Sequence, residues 1–327
     1  MKNELNQIQW LRAIAAILVV ITHFTGKPYS VKLLDHEFSS GAIGVDIFFI
    51  ISGFIMMYVS DLKKQYPIKF ILNRFIRILP VHYFFLFILI IIFLIKPDMI
   101  NSSVSKTYVW ESFLLVPALR NDAEYLNPVI WTLCYEMMFY LIFCVSLNLK
   151  NLTTSAIATT LVISAIVFSG FFYKGDNIYI SAATDSISLE FCYGMLLYVF
   201  YKKGFLTFHW LLPLMLSIIL YFVLKQFDFY RFIKLGIPSA LIFISFLNMK
   251  NSKITFLNFL GKISYEIYIC HIMVISASYL ILFRLGVFNI FAYATLTSVL
   301  ILISAYLINI FISNKALSLK KEIWVIN

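Results

Sequence analysis

Charge is scarce in this sequence, and its scarcity excludes a soluble globular protein. Only 13% of the 327 residues are charged, whereas 61% are hydrophobic and 18% are aromatic. The mean hydropathy of +0.90 is far above that of water-soluble domains. The abundant Phe and Tyr residues are typical of lipid-facing surfaces and of the aromatic belts at membrane interfaces. The composition therefore predicts an integral membrane protein.

Other absences narrow the class further. The sequence has no Gly-, Ser- or Pro-rich linker, no low-complexity tract and no clear internal repeat, so we predict one integral domain over residues 1–327. Its four cysteines all fall within apolar runs, which favours packed thiols over disulfides or metal ligands. Nucleotide phosphate loops, His-Glu-x-x-His metal motifs and Gly-x-Ser-x-Gly nucleophile elbows are also missing. We therefore expect no metal site, and direct group transfer rather than a covalent intermediate.

Ten apolar runs are long enough to cross a bilayer, which predicts an all-α, polytopic membrane helix bundle. The predicted spans are residues 8–25, 41–60, 79–96, 128–148, 155–173, 185–201, 208–224, 232–248, 263–284 and 287–312. The connecting segments on the side of the N-terminus hold most Lys and Arg residues and few acids, whereas the opposite segments are nearly balanced. The positive-inside rule therefore places both termini in the cytoplasm. The net charge of +10 follows from this topology and gives no argument for nucleic acid.

Between the third and fourth spans, segment 97–127 is too polar to cross the membrane. It also contains apolar residues such as Trp110, so we expect it to lie on the outer surface.

Two ionisable residues share the first span. Arg12 and His23 have ten residues between them, which on a helix separates the two positions by about 16 Å, roughly half a bilayer core. Ionisable groups at such depths are costly to bury, which favours a functional role. The alternatives are a snorkelling Arg12 at the cytoplasmic face and a His23 that is hydrogen-bonded in the core.

Two carboxylates lie in other spans. Asp46 enters the second span at a depth similar to that of His23, where it either holds the imidazole tautomer or caps the helix entrance. Glu136 lies two turns inside the fourth span with Trp131 above it, and a carboxylate at this depth favours function over structure.

Two further blocks carry paired residues on one helix face. Arg74 and Arg77 are three residues apart at the cytoplasmic start of the third span. Their guanidinium groups suit a phosphate-bearing ligand, with positive-inside anchoring as the alternative. Tyr268 and His271 share a face of the 263–284 span in the same way.

Together these blocks resemble the membrane acyltransferase-3 family, and the resemblance runs in the family's order from about residue 7 to 312. The family's five motifs fall on Arg12 and His23, on Gly44 to Phe54, on Arg74, Arg77, Ile78 and Pro80, on Trp131, Thr132, Leu133 and Glu136, and on Ser264, Tyr265, Tyr268 and His271. Five motifs in the correct order are a specific signal, although each one alone is weak.

The resemblance implies an O-acyltransferase of the cytoplasmic membrane. Such an enzyme moves an acyl group, here expected to be acetyl, from acyl-CoA to a sugar hydroxyl of a surface or exported polysaccharide such as O-antigen or exopolysaccharide. We expect acetyl-CoA as a donor substrate rather than a permanently bound cofactor, a free or lipid-linked carbohydrate acceptor, and membrane lipids around the protein. Many relatives add a soluble C-terminal esterase-like domain; none follows before Asn327, so we expect its step to be absent or supplied by another protein.

Depth and charge suggest a role for each residue. The predicted donor-binding residues are Arg12, Arg74 and Arg77. The predicted catalytic residues are the base His23 and one supporting carboxylate, Asp46 or Glu136. The predicted tunnel-lining or carbonyl-polarising residues are Trp131, Tyr268 and His271. Two alternatives without CoA chemistry remain: a secondary transporter, and a polysaccharide flippase or polymerase.

Overall fold

Helices dominate the fold, because a backbone in lipid must satisfy its hydrogen bonds internally. The computed structural model describes residues 5–26, 34, 36–63, 66–100, 106–120 and 122–325. In these residues the helices are α1 (Asn6–Thr25), α2 (Ile43–Leu62), α3 (Pro67–Ile95), α4 (Val109–Leu114), α5 (Ile130–Ser146), α6 (Leu152–Gly170), α7 (Ile178–Ala183), α8 (Leu189–Lys202), α9 (Leu211–Leu224), α10 (Ile237–Leu247), α11 (Thr255–Lys262), α12 (Ser264–Arg284), α13 (Ile290–Ile308) and α14 (Asn314–Val325).

Several shorter elements lie between these helices. A 3₁₀ turn (Ser39–Ala42) leads into α2, and π-helical turns (Phe232–Gly236 and Asn309–Ser313) precede α10 and α14. Two short strands, β1 (Thr107–Tyr108) and β2 (Glu124–Tyr125), pair in parallel.

Among the described residues, six helices are long and apolar enough to cross a membrane. They cover Asn6–Thr25, Ser39–Leu62, Pro67–Ile95, Leu152–Gly170, Ser264–Arg284 and Ile290–Leu319. Three shorter apolar helices cover Ile130–Ser146, Leu211–Leu224 and Phe232–Leu247. A multi-pass membrane protein follows from these helices, and each of the ten predicted spans overlaps one of them or α8.

Helix α3 begins well before the start predicted for its span. The predicted span starts at residue 79, whereas the helix starts at Pro67. Proline suits the first helical position, since its fixed φ matches the helix and its missing N–H needs no partner there. Arg74 and Arg77 consequently lie inside a regular helix, one turn apart, rather than in the connecting segment.

Helix α2 lies in direct backbone contact with α8. A Cβ atom on Gly53 would lie 2.1 Å from the carbonyl oxygen of Phe191, and one on Gly194 would lie 2.1 Å from that of Ile50. Only glycine permits so close an approach, as in other membrane helix pairs. This contact fixes the position of α2, which carries Asp46 and Ser52 toward the interior of the bundle.

Segment 97–127 packs over one end of α3. An imidazole nitrogen of buried His82 lies 3.0 Å from the carbonyl oxygen of Ser112 on α4. The hydroxyl of Tyr179 on α7 donates a 2.7 Å hydrogen bond to Glu111, and this bond raises the pKa of Tyr179. The described residues of the segment form α4 and the two short strands, and none of them belongs to a helix of spanning length.

Candidate active site

A cavity of about 290 Å³ lies among α1, α2, α3, α5 and α12. Its walls are largely apolar, with Phe48 and Phe49 among the lining residues. Its polar lining includes Arg12, Arg74, Arg77, Glu136, Thr132 and Tyr268. The fold therefore collects the three predicted donor-binding arginines with Glu136 and Tyr268 around one apolar chamber, as expected of a ligand pocket.

The three arginines come from two helices. Arg12 projects from α1, whereas Arg74 and Arg77 project from α3. The Arg74 guanidinium carbon lies 5.8 Å from the ring centre of Phe70 and 5.9 Å from that of Tyr140, and its Nε atom is buried without a hydrogen-bond partner. None of the three forms a salt bridge with the part of the chain that the structure describes. Their unused N–H groups can bind an anion with several oxygen atoms.

Glu136 lies beside this arginine group. Its Oε1 atom accepts a 2.7 Å hydrogen bond from the Ser52 hydroxyl and a second, short bond from the Tyr140 hydroxyl. Tyr140 also lies under Arg74. These contacts hold the carboxylate of α5 against α2 and near the arginines. The structure does not bring Glu136 to His23.

The predicted base, His23, contacts His271. The two side chains approach to 3.3 Å between His23 Nδ1 and His271 Nε2, with their rings edge to face. His23 Nδ1 also lies 3.0 Å from the carbonyl oxygen of Val19. His271 Nδ1 lies 2.6 Å from the carbonyl oxygen of Tyr268. The pair is assembled by α1 and α12, which pack against each other along this length.

Tyr268 connects the histidine pair to the cavity. Its hydroxyl lies 2.9 Å from Thr132 Oγ1, and both side chains line the cavity. Its ring centre lies 5.8 Å from that of His271. The cavity thus reaches from the arginines to within one aromatic ring of the histidine pair.

Asp46 and Trp131 belong to a different group. Asp46 is 0% exposed and accepts two 2.9 Å hydrogen bonds, from Nε and Nη2 of Arg231. The Arg231 guanidinium carbon lies 5.9 Å from the ring centre of Trp131. The predicted choice of Asp46 as a partner of His23 therefore differs from the structure, in which its carboxylate is occupied by Arg231.

Sequence reasoning passed over several of these residues. Arg231 lies just before the 232–248 span, where a basic residue is usually a membrane-boundary residue. Glu190 lies inside the 185–201 span, where the rule that selected Glu136 also applies; it is buried and faces Asp46. The residue types of Ser52 and Tyr140 did not indicate a functional role, since small polar and tyrosine residues are common in such helices. Among the described residues, no group of three or more His, Cys, Asp or Glu side chains is arranged to hold a metal ion.

Comparisons with known proteins identify the family to which the sequence is similar. The family model for an acyltransferase domain, acyltransferase-3, matches residues 5–310. The exopolysaccharide production protein ExoZ of Rhizobium meliloti (strain 1021) is 32% identical over 181 residues, which cover 54% of this chain and 56% of that protein. The O-acetyltransferase OatA of Staphylococcus aureus (strain NCTC 8325 / PS 47) is 25% identical over 200 residues, 54% of this chain and 31% of that protein.

The match therefore spans about half the length of the first relative and about a third of the second. No solved structure matches the chain at a significant level. The family match covers nearly the whole sequence, including every residue of the cavity and of the histidine pair. The chain belongs to the acyltransferase-3 family.

Proposed function

We propose that this protein is a membrane-embedded O-acyltransferase, which moves an acetyl group from acetyl-CoA to a sugar hydroxyl of an exported or surface polysaccharide. The observation that carries the proposal is the cavity. Its lining includes three arginines that form no salt bridge within the described residues, and its Tyr268 lies next to the histidine pair. The names of two relatives, an exopolysaccharide production protein and an O-acetyltransferase, support the acceptor class and the acetyl group.

The arginines are the proposed site for the phosphates of the donor. Coenzyme A carries several phosphate oxygens, and guanidinium groups bind such oxygens in bidentate geometry. Because Arg12, Arg74 and Arg77 line the same cavity, an anion bound there offsets the repulsion among their positive charges. The uncharged pantetheine arm then follows the apolar wall beside Phe48 and Phe49.

The thioester is proposed to react beside His23. Position 23 lies about 16 Å along α1 from Arg12, a distance that an extended pantetheine arm spans. His23 removes the proton of the acceptor hydroxyl, whose oxygen attacks the thioester carbonyl. The carbon–sulfur bond then breaks, and the CoA thiolate leaves and takes up the proton. The hydroxyl of Tyr268, which lies beside Thr132 in the cavity lining, is the proposed donor to the carbonyl oxygen.

The topology belongs to the same proposal. Ten spans with cytoplasmic termini place Arg74 and Arg77 at the cytoplasmic end of α3, where acyl-CoA is available, and His23 toward the outer side. A free or lipid-linked glycan then reaches His23 from the outer face of the cytoplasmic membrane. The single integral domain of residues 1–327 is proposed to carry out this transfer.

Acetyl transfer by the purified protein tests the proposal. The full chain in proteoliposomes is given radiolabelled acetyl-CoA and polysaccharide from cells that lack the gene. We expect label in the polysaccharide, and a rate that falls about 10² to 10⁴-fold in His23→Gln, the usual cost of losing a general base. His209→Gln is the matched control, since His209 is an exposed residue outside the cavity.

Two results would contradict the proposal. A wild-type protein that neither consumes acetyl-CoA nor labels the polysaccharide is no acyltransferase of this kind, and transport of glycan without CoA becomes the better description. Near-normal transfer by His23→Gln removes His23 from the role of base.

A further inference from the structure

The contact between His23 and His271 joins residues that are 248 positions apart, and its geometry determines where the protons lie. A neutral imidazole carries one N–H group, on either Nδ1 or Nε2, and the partners of the ring identify which nitrogen carries it. Both rings have a backbone carbonyl beside Nδ1. A carbonyl oxygen only accepts hydrogen bonds, so each of these contacts identifies a donor.

The tautomer of His271 follows first. Its Nδ1 lies 2.6 Å from the carbonyl oxygen of Tyr268, a distance at which a lone pair would be strongly repelled. Nδ1 therefore carries the hydrogen, and Nε2 of the neutral ring is an acceptor. That acceptor faces His23 Nδ1 at 3.3 Å.

The tautomer of His23 follows from the acceptors beside its Nδ1 atom. Its Nδ1 lies between two acceptors, the carbonyl oxygen of Val19 and Nε2 of His271. Nδ1 must therefore carry the hydrogen, which leaves the lone pair on Nε2. A base needs that lone pair, so the Val19 carbonyl and His271 Nε2 together keep His23 in the form that can take a proton.

We propose that His271 is the positioning residue of His23: it accepts from Nδ1–H, stabilises the tautomer that the Val19 carbonyl also favours, and orients Nε2 as the basic nitrogen. The inference rests on the proposed function, because it assigns a partner to the proposed base. In hydrolases with a Ser-His-Asp triad a carboxylate has this task. Here a neutral imidazole has it, and when His23 takes a proton, its Nδ1–H bond to His271 persists.

Burial and competing contacts support this division of roles. His271 is 0% exposed, whereas His23 is partly exposed, so His23 is the histidine of the pair that a sugar substrate can reach. The two carboxylates considered for the task bind other residues: Asp46 binds Arg231, and Glu136 binds Ser52 and Tyr140. His271 is itself held by the carbonyl oxygen of Tyr268, one turn earlier on α12.

The tautomer is measurable without any substrate. Nitrogen-15 shifts from magic-angle-spinning spectra of ¹⁵N-histidine-labelled protein in liposomes distinguish Nδ1–H from Nε2–H rings. The chain has five histidines, and the spectrum of His23→Gln identifies the signals of His23. We expect the Nδ1–H form for wild-type His23 and a larger share of the Nε2–H form in His271→Leu, in which the Val19 carbonyl is the remaining acceptor of this pair. A wild-type His23 in the Nε2–H form overturns the proposal.

Turnover gives the second readout. Gln places an amide oxygen near the position of the lost Nε2 and can accept the His23 bond, whereas Leu cannot. With acetyl-CoA as the probe, we expect His271→Leu to lower kcat about 10²-fold or more with little change in donor KM, and His271→Gln to stay within about tenfold of wild type. Equal losses in the two variants, or a normal rate in His271→Leu, overturn the proposal.

The outcomes separate this inference from the proposed function. A wild-type protein that transfers acetyl groups while His271→Leu is equally active contradicts the positioning role alone. A wild-type protein that never consumes acetyl-CoA contradicts the proposed function, and the positioning role with it. Coenzyme A affinity and thermal unfolding of each variant establish that it is folded before its rate is compared.

Discussion

Two arginine-containing regions of this protein differ in whether the arginine forms a salt bridge. In the cavity, Arg12, Arg74 and Arg77 have no salt-bridge partner within the described chain, although they line a chamber that is mostly apolar. Near the starts of α2 and α5, Arg231 makes two 2.9 Å bonds to a fully buried Asp46 and lies over Trp131.

The difference indicates which region awaits a ligand. A cluster of three cations beside one carboxylate in a mostly apolar cavity is costly, and it is maintained where an anion completes it in the working state. Arg231 already has its counter-charge, so its contacts stabilise the native bundle instead. We therefore propose donor binding at the cavity and a structural task for the Asp46–Arg231 pair, and the following changes test that proposal.

The largest effect is expected from removing two cavity arginines. Arg74→Gln with Arg77→Gln should weaken coenzyme A binding by about 10² to 10⁴-fold, because each charge-assisted hydrogen bond contributes about 1.5–3 kcal/mol. The affinity is measured by calorimetric titration of a non-hydrolysable acetyl-CoA analogue. Arg231→Gln is the matched control and should leave that affinity unchanged. Equal losses in the control and the double variant would remove the distinction between the regions.

An intermediate effect is expected from the paired region. Asp46→Asn removes the carboxylate that binds Arg231 directly. The free energy of unfolding should then fall by about 1–3 kcal/mol, between the values for exposed and fully buried pairs, since Arg231 is one-third exposed. Thermal unfolding in detergent measures this, with coenzyme A affinity as the companion readout. A large loss of donor affinity with unchanged stability would place Asp46 in the donor site.

The smallest effect is expected at the exposed pair of Lys202 and Asp61. Their side chains are 57% and 31% exposed and lie 2.6 Å apart. Such surface pairs contribute below about 1 kcal/mol, so Lys202→Gln should change neither stability nor donor affinity beyond this amount. The same unfolding and titration experiments check it. A loss as large as that of Asp46→Asn would mean that burial does not distinguish the two ion pairs.

Sequence reasoning found the helices more readily than the partners of their side chains. Apolar runs identify membrane helices because lipid demands them, and three-residue spacing correctly placed Arg74 and Arg77 on one face. Depth and charge added Arg12 to the same group. Periodicity, however, says which face a residue occupies and not what lies opposite it.

The unpredicted contacts all join distant parts of the chain. Asp46 meets Arg231 across 185 positions, and His23 meets His271 across 248 positions. Depth in the bilayer made Asp46 a plausible partner of His23, since both were expected at a similar level. Depth gives no information about rotation around the helix axis, and the packing of α2 on α8 at Gly53 directs Asp46 elsewhere.

The central claim is that the cavity arginines recognise the phosphates of the acyl donor, and the affinities of coenzyme A, dephospho-coenzyme A and pantetheine test it most directly. Calorimetric titration of the wild-type protein in detergent is the measurement. The account predicts that affinity falls at each loss of phosphate and is weakest for pantetheine, which offers the arginines no anion. Equal affinities for coenzyme A and pantetheine would contradict it.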